Sequence, residues 1–129
     1  MILLDTHVVL WLAQAPELLS ATAVSVIEAA RQEDGLAISD KSLWELAQII
    51  ADKDVSVDPS PEDFLEACAQ VFQVLPITPG IAWRSMQFSK KYPKDPADRI
   101  IAATAIVHGL PLITKDGKIR KSGEVACIW

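Results

Sequence analysis

Four acidic residues stand just past short apolar runs, where parallel β-strands end. Asp5 follows Met1-Ile2-Leu3-Leu4, and Asp116 follows Pro111-Leu112-Ile113-Thr114-Lys115. Glu45 lies one helical turn beyond Leu36-Ala37-Ile38-Ser39, and Asp98 opens the stretch Asp98-Arg99-Ile100-Ile101-Ala102-Ala103. In an open α/β sheet, ligands bind in the crevice outside the carboxyl ends of the strands. The spacing therefore predicts that four carboxylates meet there. Each like-charged pair costs about 4 kcal/mol at ~4 Å and an effective dielectric of ~20. A hard divalent cation with oxygen ligands is the simplest remedy.

Every one of these acids also has a purely structural role open to it. Ser42-Leu43-Trp44-Glu45 fits a capping box, with Glu45 reaching back to a free backbone N–H. Asp95-Pro96-Ala97-Asp98 fits a helix start with Asp95 as N-cap, Pro96 at N1 and Asp98 at N3. Asp5 and Asp116 can each cap the segment that follows. On residues alone, capping and metal binding both stand.

The elements that must position these groups alternate in type. Strands are expected at Met1 to Leu4, Leu36 to Ser39, Gln73 to Ile77, Pro111 to Thr114 and Val125 to Ile128. Helices are expected at Thr6 to Ala13 and from an N-cap at Ser20 to Gln32, with Ala21, Val24, Ile27 and Ala30 inward. Further helices are expected at Asp40 to Ile50, with the stripe Leu43, Trp44, Ala47 and Ile50, and at Glu62 to Phe72. Pro79 initiates another, to Lys90. The helix Pro96 to His108 ends at Gly109, with His108 favourably placed at its C-terminus. A helical turn is expected around Lys118 to Lys121. This alternation predicts an α/β fold with a mostly parallel sheet and helices on both faces, with residues 1–129 as a single domain.

Composition narrows the field. Half of the 129 residues are apolar and few are aromatic, which suits an α/β interior of aliphatic side chains. Cys68 and Cys127 match no metal or redox spacing and are expected as buried free thiols in a reducing cytoplasm. The start shows no basic leader, and no stretch approaches the ~18 to 20 apolar residues of a membrane span. The net charge of −5 hides an asymmetry: residues 1–83 carry 3 Lys/Arg and 13 Asp/Glu, residues 84–129 carry 9 and 4. A basic rim around an acidic pocket is what phosphate-backbone steering needs, although lysine-rich helix faces are commonly plain solvated surface.

Taken in order, Asp5-Thr6-His7, Ser39-x-x-Ser42-x-x-Glu45, Asp95-Pro96-x-Asp98-Arg99-Ile100-Ile101-Ala102-Ala103 and Leu112-Ile113-Thr114-x-Asp116 resemble the motifs of PIN-domain ribonucleases. With Trp44 beside Glu45 and Ile128-Trp129 at the end, the chain is similar to VapC-type toxins of toxin–antitoxin pairs. The resemblance implies a three-layer α/β/α fold and endoribonuclease activity dependent on Mg²⁺ or Mn²⁺. It also implies an antitoxin partner and a homodimer. It assigns Asp5, Glu45, Asp98 and Asp116 as catalytic, metal-holding acids. Asp95 becomes a cap or outer helper. Thr6, Thr114, Ser39 and Ser42 are candidate hydroxyl partners of carboxylate or phosphate, Arg99 a candidate for phosphate or a pocket acid, and His7 a packing or hydrogen-bonding residue.

The expected chemistry is water attack on an RNA phosphodiester, leaving 5′-phosphate and 3′-hydroxyl ends. No aromatic-rich basic patch is visible in the sequence, which predicts recognition of RNA shape or a particular loop. Val8, Trp11, Leu12, Leu18, Leu19 and the surroundings of Trp44 are candidate linings of an apolar antitoxin groove. Three other readings compete: a protein-interaction module without catalysis, a PIN nuclease of RNA processing without an antitoxin, and a DNA-directed flap-type nuclease. A phosphatase of the haloacid-dehalogenase kind is disfavoured, because Thr6-His7 stands where it needs a second aspartate.

Overall fold

The computed structural model describes residues 1–129. Five strands form one parallel sheet: β1 (Ile2–Leu4), β2 (Leu36–Ser39), β3 (Gln73–Leu75), β4 (Leu112–Ile113) and β5 (Cys127–Ile128), in the order β3-β2-β1-β4-β5. Leu3 sits centrally, in register with Ala37 on one side and Leu112 on the other. The chain leaves β1 towards β2 and β3, and later returns on the other side as β4 and β5. The carboxyl ends of β1 and β4 thus flank the switch point of the sheet, where such folds open a crevice.

Seven helices cover the sheet: α1 (Thr6–Gln14), α2 (Ala21–Gln32), α3 (Asp40–Asp52), α4 (Pro61–Val71), α5 (Pro79–Arg84), α6 (Pro96–His108) and α7 (Gly117–Ser122). The strands alternate strictly between two apolar cores, as a period of two requires. Ile2, Leu4, Leu36, Ile38 and Ile113 pack with Val8, Val9, Ala23, Ile27, Leu46, Cys68 and Phe72 from α1 to α4 and its end. Leu3, Ala37, Leu75 and Leu112 pack with Ile81, Ile101, Ala102, Ala105 and Ile119 from α5, α6 and α7. This is the three-layer arrangement expected from the alternation of elements.

Several local expectations need correction. On α2 the buried stripe is Ala23, Ile27 and Ala30, while Ala21 and Val24 face out. On α3 it is Ser42, Leu46 and Ile50, and Trp44 is 56% exposed. The helix is rotated so that polar Ser42 goes inward, a choice that apolar periodicity alone does not suggest. α5 stops at Arg84 because the polar run Ser85 to Ser89 turns instead, bringing Phe88 inward to stack on Tyr92 at 4.2 Å. β3 ends at Leu75, since Pro76 has no N–H for the ladder. Both cysteines are free as expected, but only Cys68 is buried; Cys127 is half-exposed. No helix is long and apolar enough to cross a membrane.

Candidate active site

Three of the helices that begin around the cleft, α1, α6 and α7, are each capped by an aspartate. Asp5 accepts from the Thr6 N–H at 2.8 Å, Asp95 from Ala97 and Asp98 at 2.8 and 3.2 Å, and Asp116 from Lys118 and Ile119 at 2.8 and 3.1 Å. Capping is therefore real, and it coexists with a second function. A carboxylate has about four lone-pair sites, and Asp95 and Asp116 each use a single oxygen for the cap. The other oxygen is left for the cleft, in the field of a helix N-terminus that favours negative charge.

The remaining two acids do not cap. α3 starts three residues earlier than the capping box required, with Ser39 as N-cap accepting from Lys41. Ser42 is thereby moved into the helix, fully buried. Glu45 follows one turn later and accepts the hydroxyl hydrogen bond of Thr6. The Thr6 and Ser42 oxygens are 3.1 Å apart. With the Thr6 proton committed to Glu45, Ser42 must be the donor of that pair. Asp98 sits in the first turn of α6 and its carboxylate has no hydrogen-bond partner; Tyr92 reaches only its backbone carbonyl.

Asp5, Glu45, Asp95, Asp98 and Asp116 line one cleft of about 500 Å³, together with His7, Trp11 and Lys115. The four expected acids are thus brought together from four separate parts of the chain. Asp5 is the best fixed: besides its cap, it accepts from the Thr114 hydroxyl at 2.7 Å across the switch point. Thr114 in turn accepts from the Asp116 N–H at 3.1 Å, so one hydroxyl positions two acids. Charge crowding is visible in the proton affinities. Burial, then the carboxylates of Asp95, Asp5, Asp116 and Glu45, push the Asp98 carboxyl up to about 7. Burial raises Asp5 as well, against the pull of its hydrogen bonds from Thr114 and Thr6. Glu45 is raised by burial and by Asp5 and Asp95, against its bond from Thr6.

Two expected helpers lie elsewhere. Arg99 neither pairs with a pocket acid nor faces the cleft: it donates to the carbonyls of Pro93 and Tyr92 at 2.9 and 3.5 Å, bracing the loop ahead of α6. Ser39 caps α3. His7 is on the cleft wall, 6.0 Å from Trp11 between ring centres. Sequence reasoning missed Lys115 as a cleft residue, although it stands directly before Asp116.

The donor set is oxygen only, as a small hard cation requires. No three acidic, histidine or cysteine side chains close around a single point. An ion bound here would keep much of its coordination shell for water and substrate. Asp98 and the free oxygen of Asp116, beside the fixed Asp5, are the groups that could hold one.

Comparison with known proteins agrees with this geometry. The PIN domain family matches residues 2–125. Ribonuclease VapC22 of Mycobacterium tuberculosis is 37% identical over 119 residues, 92% of this chain and 89% of that protein. The chain belongs to the VapC branch of the PIN-domain family. Its fold recurs in VapBC2 from Rickettsia felis, solved with a DNA fragment from its promoter: the TM-score is 0.76 at 16% identity, over 99% of this chain and 98% of that one. FitAcB from Neisseria gonorrhoeae gives a TM-score of 0.72 at 23% identity, over 100% and 97%. The PIN fold thus persists where little of the sequence does. In this PIN domain, Asp5, Glu45, Asp98 and Asp116 stand on the four ordered motifs that resemble those of the family.

Proposed function

We propose that the protein is a divalent-metal-dependent endoribonuclease and the toxin of a toxin–antitoxin pair, working in the cytoplasm. The observation that carries this reading is Asp98: a half-buried carboxylate without a hydrogen-bond partner, crowded by four others. Like charges held close together are costly, and a cation offsets that cost. Bound there, Mg²⁺ or Mn²⁺ supplies Lewis-acid stabilisation of the phosphate and makes water a better nucleophile. The chain's own groups do the rest. Asp98 and Asp116, beside Asp5, would hold the ion, with Asp5 and Asp116 kept in place by Thr114. Glu45, steadied by Thr6 and Ser42, is placed to accept a proton from attacking water. Asp95 adds negative potential from the outer wall. Lys115 draws the RNA backbone towards the cleft.

The antitoxin reading is supported by an apolar groove of about 210 Å³ lined by Val9, Leu12, Ala13, Phe64, Val71 and Phe72. Of the lining expected from sequence only Leu12 belongs to this groove: Val8 and Leu19 are buried in the core, Leu18 is exposed, and Trp11 and Trp44 belong to the cleft side. Bare apolar side chains at Trp83 and Met86, 68% and 72% exposed, are consistent with a homodimer.

Cellular RNA incubated with the protein and Mg²⁺ tests the enzyme. Cleavage should leave 5′-phosphate ends and stop with chelator. Asp98→Asn should fold normally, since Asp98 caps nothing, and lose at least about a hundredfold in rate. Asp5→Asn should do the same, because asparagine caps about as well as aspartate. Products ending in 2′,3′-cyclic phosphate, or full activity in both variants, would refute the proposal.

A further inference from the structure

We propose that Trp11 and Trp44 are stacking positions for the nucleobases on either side of the phosphate seated in the acid cleft. This rests on the ribonuclease reading and extends it to the path of the RNA strand. Trp11 is the only hydrophobic side chain lining the cleft. Trp44 lines an adjoining hollow with Lys41, Gln48 and Pro96, and Glu45 and Asp95 belong to both hollows. The two indoles are therefore joined by a continuous acidic floor.

They also lie on opposite sides of that floor. Trp44 is on α3, which follows β2. Trp11 is held against residues that follow β4 and close β5, on the other side of β1. Each indole carries a lysine: Lys115 Nζ lies 5.6 Å from the Trp11 ring centre, and Lys41 Nζ lies 4.0 Å from that of Trp44. The Trp11 ring is set edge-on by Trp129 at 6.0 Å and 60°, so its orientation exists before any ligand arrives. Trp44 is more than half exposed, while its helix packs through Ser42, Leu46 and Ile50. Trp11 packs in part against the core beneath α1, but core packing does not explain Trp44.

An acidic cleft repels a phosphate backbone, so a strand needs attraction that does not depend on net charge. Base–indole stacking supplies it and tolerates any sequence. A lysine resting on the ring face can pass to an arriving phosphate, which opens the face to the base. The sequence shows no aromatic-rich basic patch, yet the fold assembles two lysine–tryptophan pairs from residues 11, 41, 44 and 115.

Two probes separate base from backbone: a short oligoadenylate, and a ribose-phosphate chain of the same length made wholly abasic. Binding is read by fluorescence anisotropy in Mg²⁺, in an Asp98→Asn background that stops cleavage and removes one repelling charge. Trp11→Leu and Trp44→Leu should each weaken oligoadenylate at least about fivefold and leave the abasic chain unchanged. Trp11→Tyr and Trp44→Tyr should restore most of the loss, and Lys115→Met should weaken both chains alike. Methionine replaces leucine in the same comparison if a leucine variant does not fold. Equal weakening of both chains, no weakening, or loss at only one tryptophan overturns the two-sided path. A parent that binds neither chain overturns the stacking path, while the cleavage products decide the ribonuclease reading separately.

Discussion

On the two faces of the sheet, burial falls to Leu, Ile, Val and Ala; at its carboxyl edge it falls to groups that water would rather keep. Five of the seven buried polar or charged residues, Asp5, Thr6, Ser39, Ser42 and Thr114, lie along that edge. On the faces each side chain gains by leaving water. At the edge, each buried polar group needs a partner to avoid a net loss. The hydroxyls of Thr6 and Thr114 supply those partners to Glu45 and Asp5, Ser42 pairs with Thr6, and Asp98 receives none. Stability is thus concentrated in the layers, and the edge keeps a deficit that a ligand can relieve.

That contrast can be broken most strongly from the core. Ile27→Ala, at a fully buried site on α2, should cost about 2–5 kcal/mol in denaturant unfolding, with activity per folded molecule unchanged. Next comes relief of the edge. Mg²⁺ at a hundred times its dissociation constant should add about 2.7 kcal/mol to unfolding stability, and Asp5→Asn should abolish most of that gain. Metal that stabilises both proteins equally would detach the acids from the ion.

Thr114→Val should cost about 1–3 kcal/mol, because it strips a partner from Asp5 and another from the Asp116 N–H. Metal affinity measured by calorimetry should fall about 10–100-fold. The smallest effect concerns pH. The Asp98 carboxyl is raised from 3.8 to about 7, so its charged form is disfavoured in the folded state. Its contribution to stability is fully present below pH 3.8 and is lost as pH rises through about 7. Asp98→Asn without metal should therefore be more stable than the parent above pH 7, with the difference shrinking in acid. A variant less stable than its parent at pH 8 would show that Asp98 is paired after all.

The sequence carried the layered fold and the meeting of the acids, because both depend on strand ends and on the order of elements. The rotation of α3 was not legible. Leu43 packs against the core as its hydrophobicity suggests, but Trp44 faces out and Ser42 is taken inside by its bond to Thr6, 36 residues away. The resemblance assigns Asp98 as ligand and Asp95 as cap or outer helper; in the structure one Asp95 oxygen accepts from two backbone N–H groups, and the Asp98 carboxylate accepts from none. Arg99 misled because a guanidinium near acids suggests an ion pair, whereas loop carbonyls claimed it first. The pairing of Trp11 with Lys115 and Trp129 spans almost the whole chain, and no local pattern announces it.

The hydrogen bond from Thr114 to Asp5 joins positions 109 residues apart, and β1 waits for β4 to occupy its second edge. During vectorial synthesis, the first aspartate leaves the ribosome long before its hydroxyl partner has been translated. A nascent chain therefore holds its acids apart until near completion, and the cleft comes into being only around release.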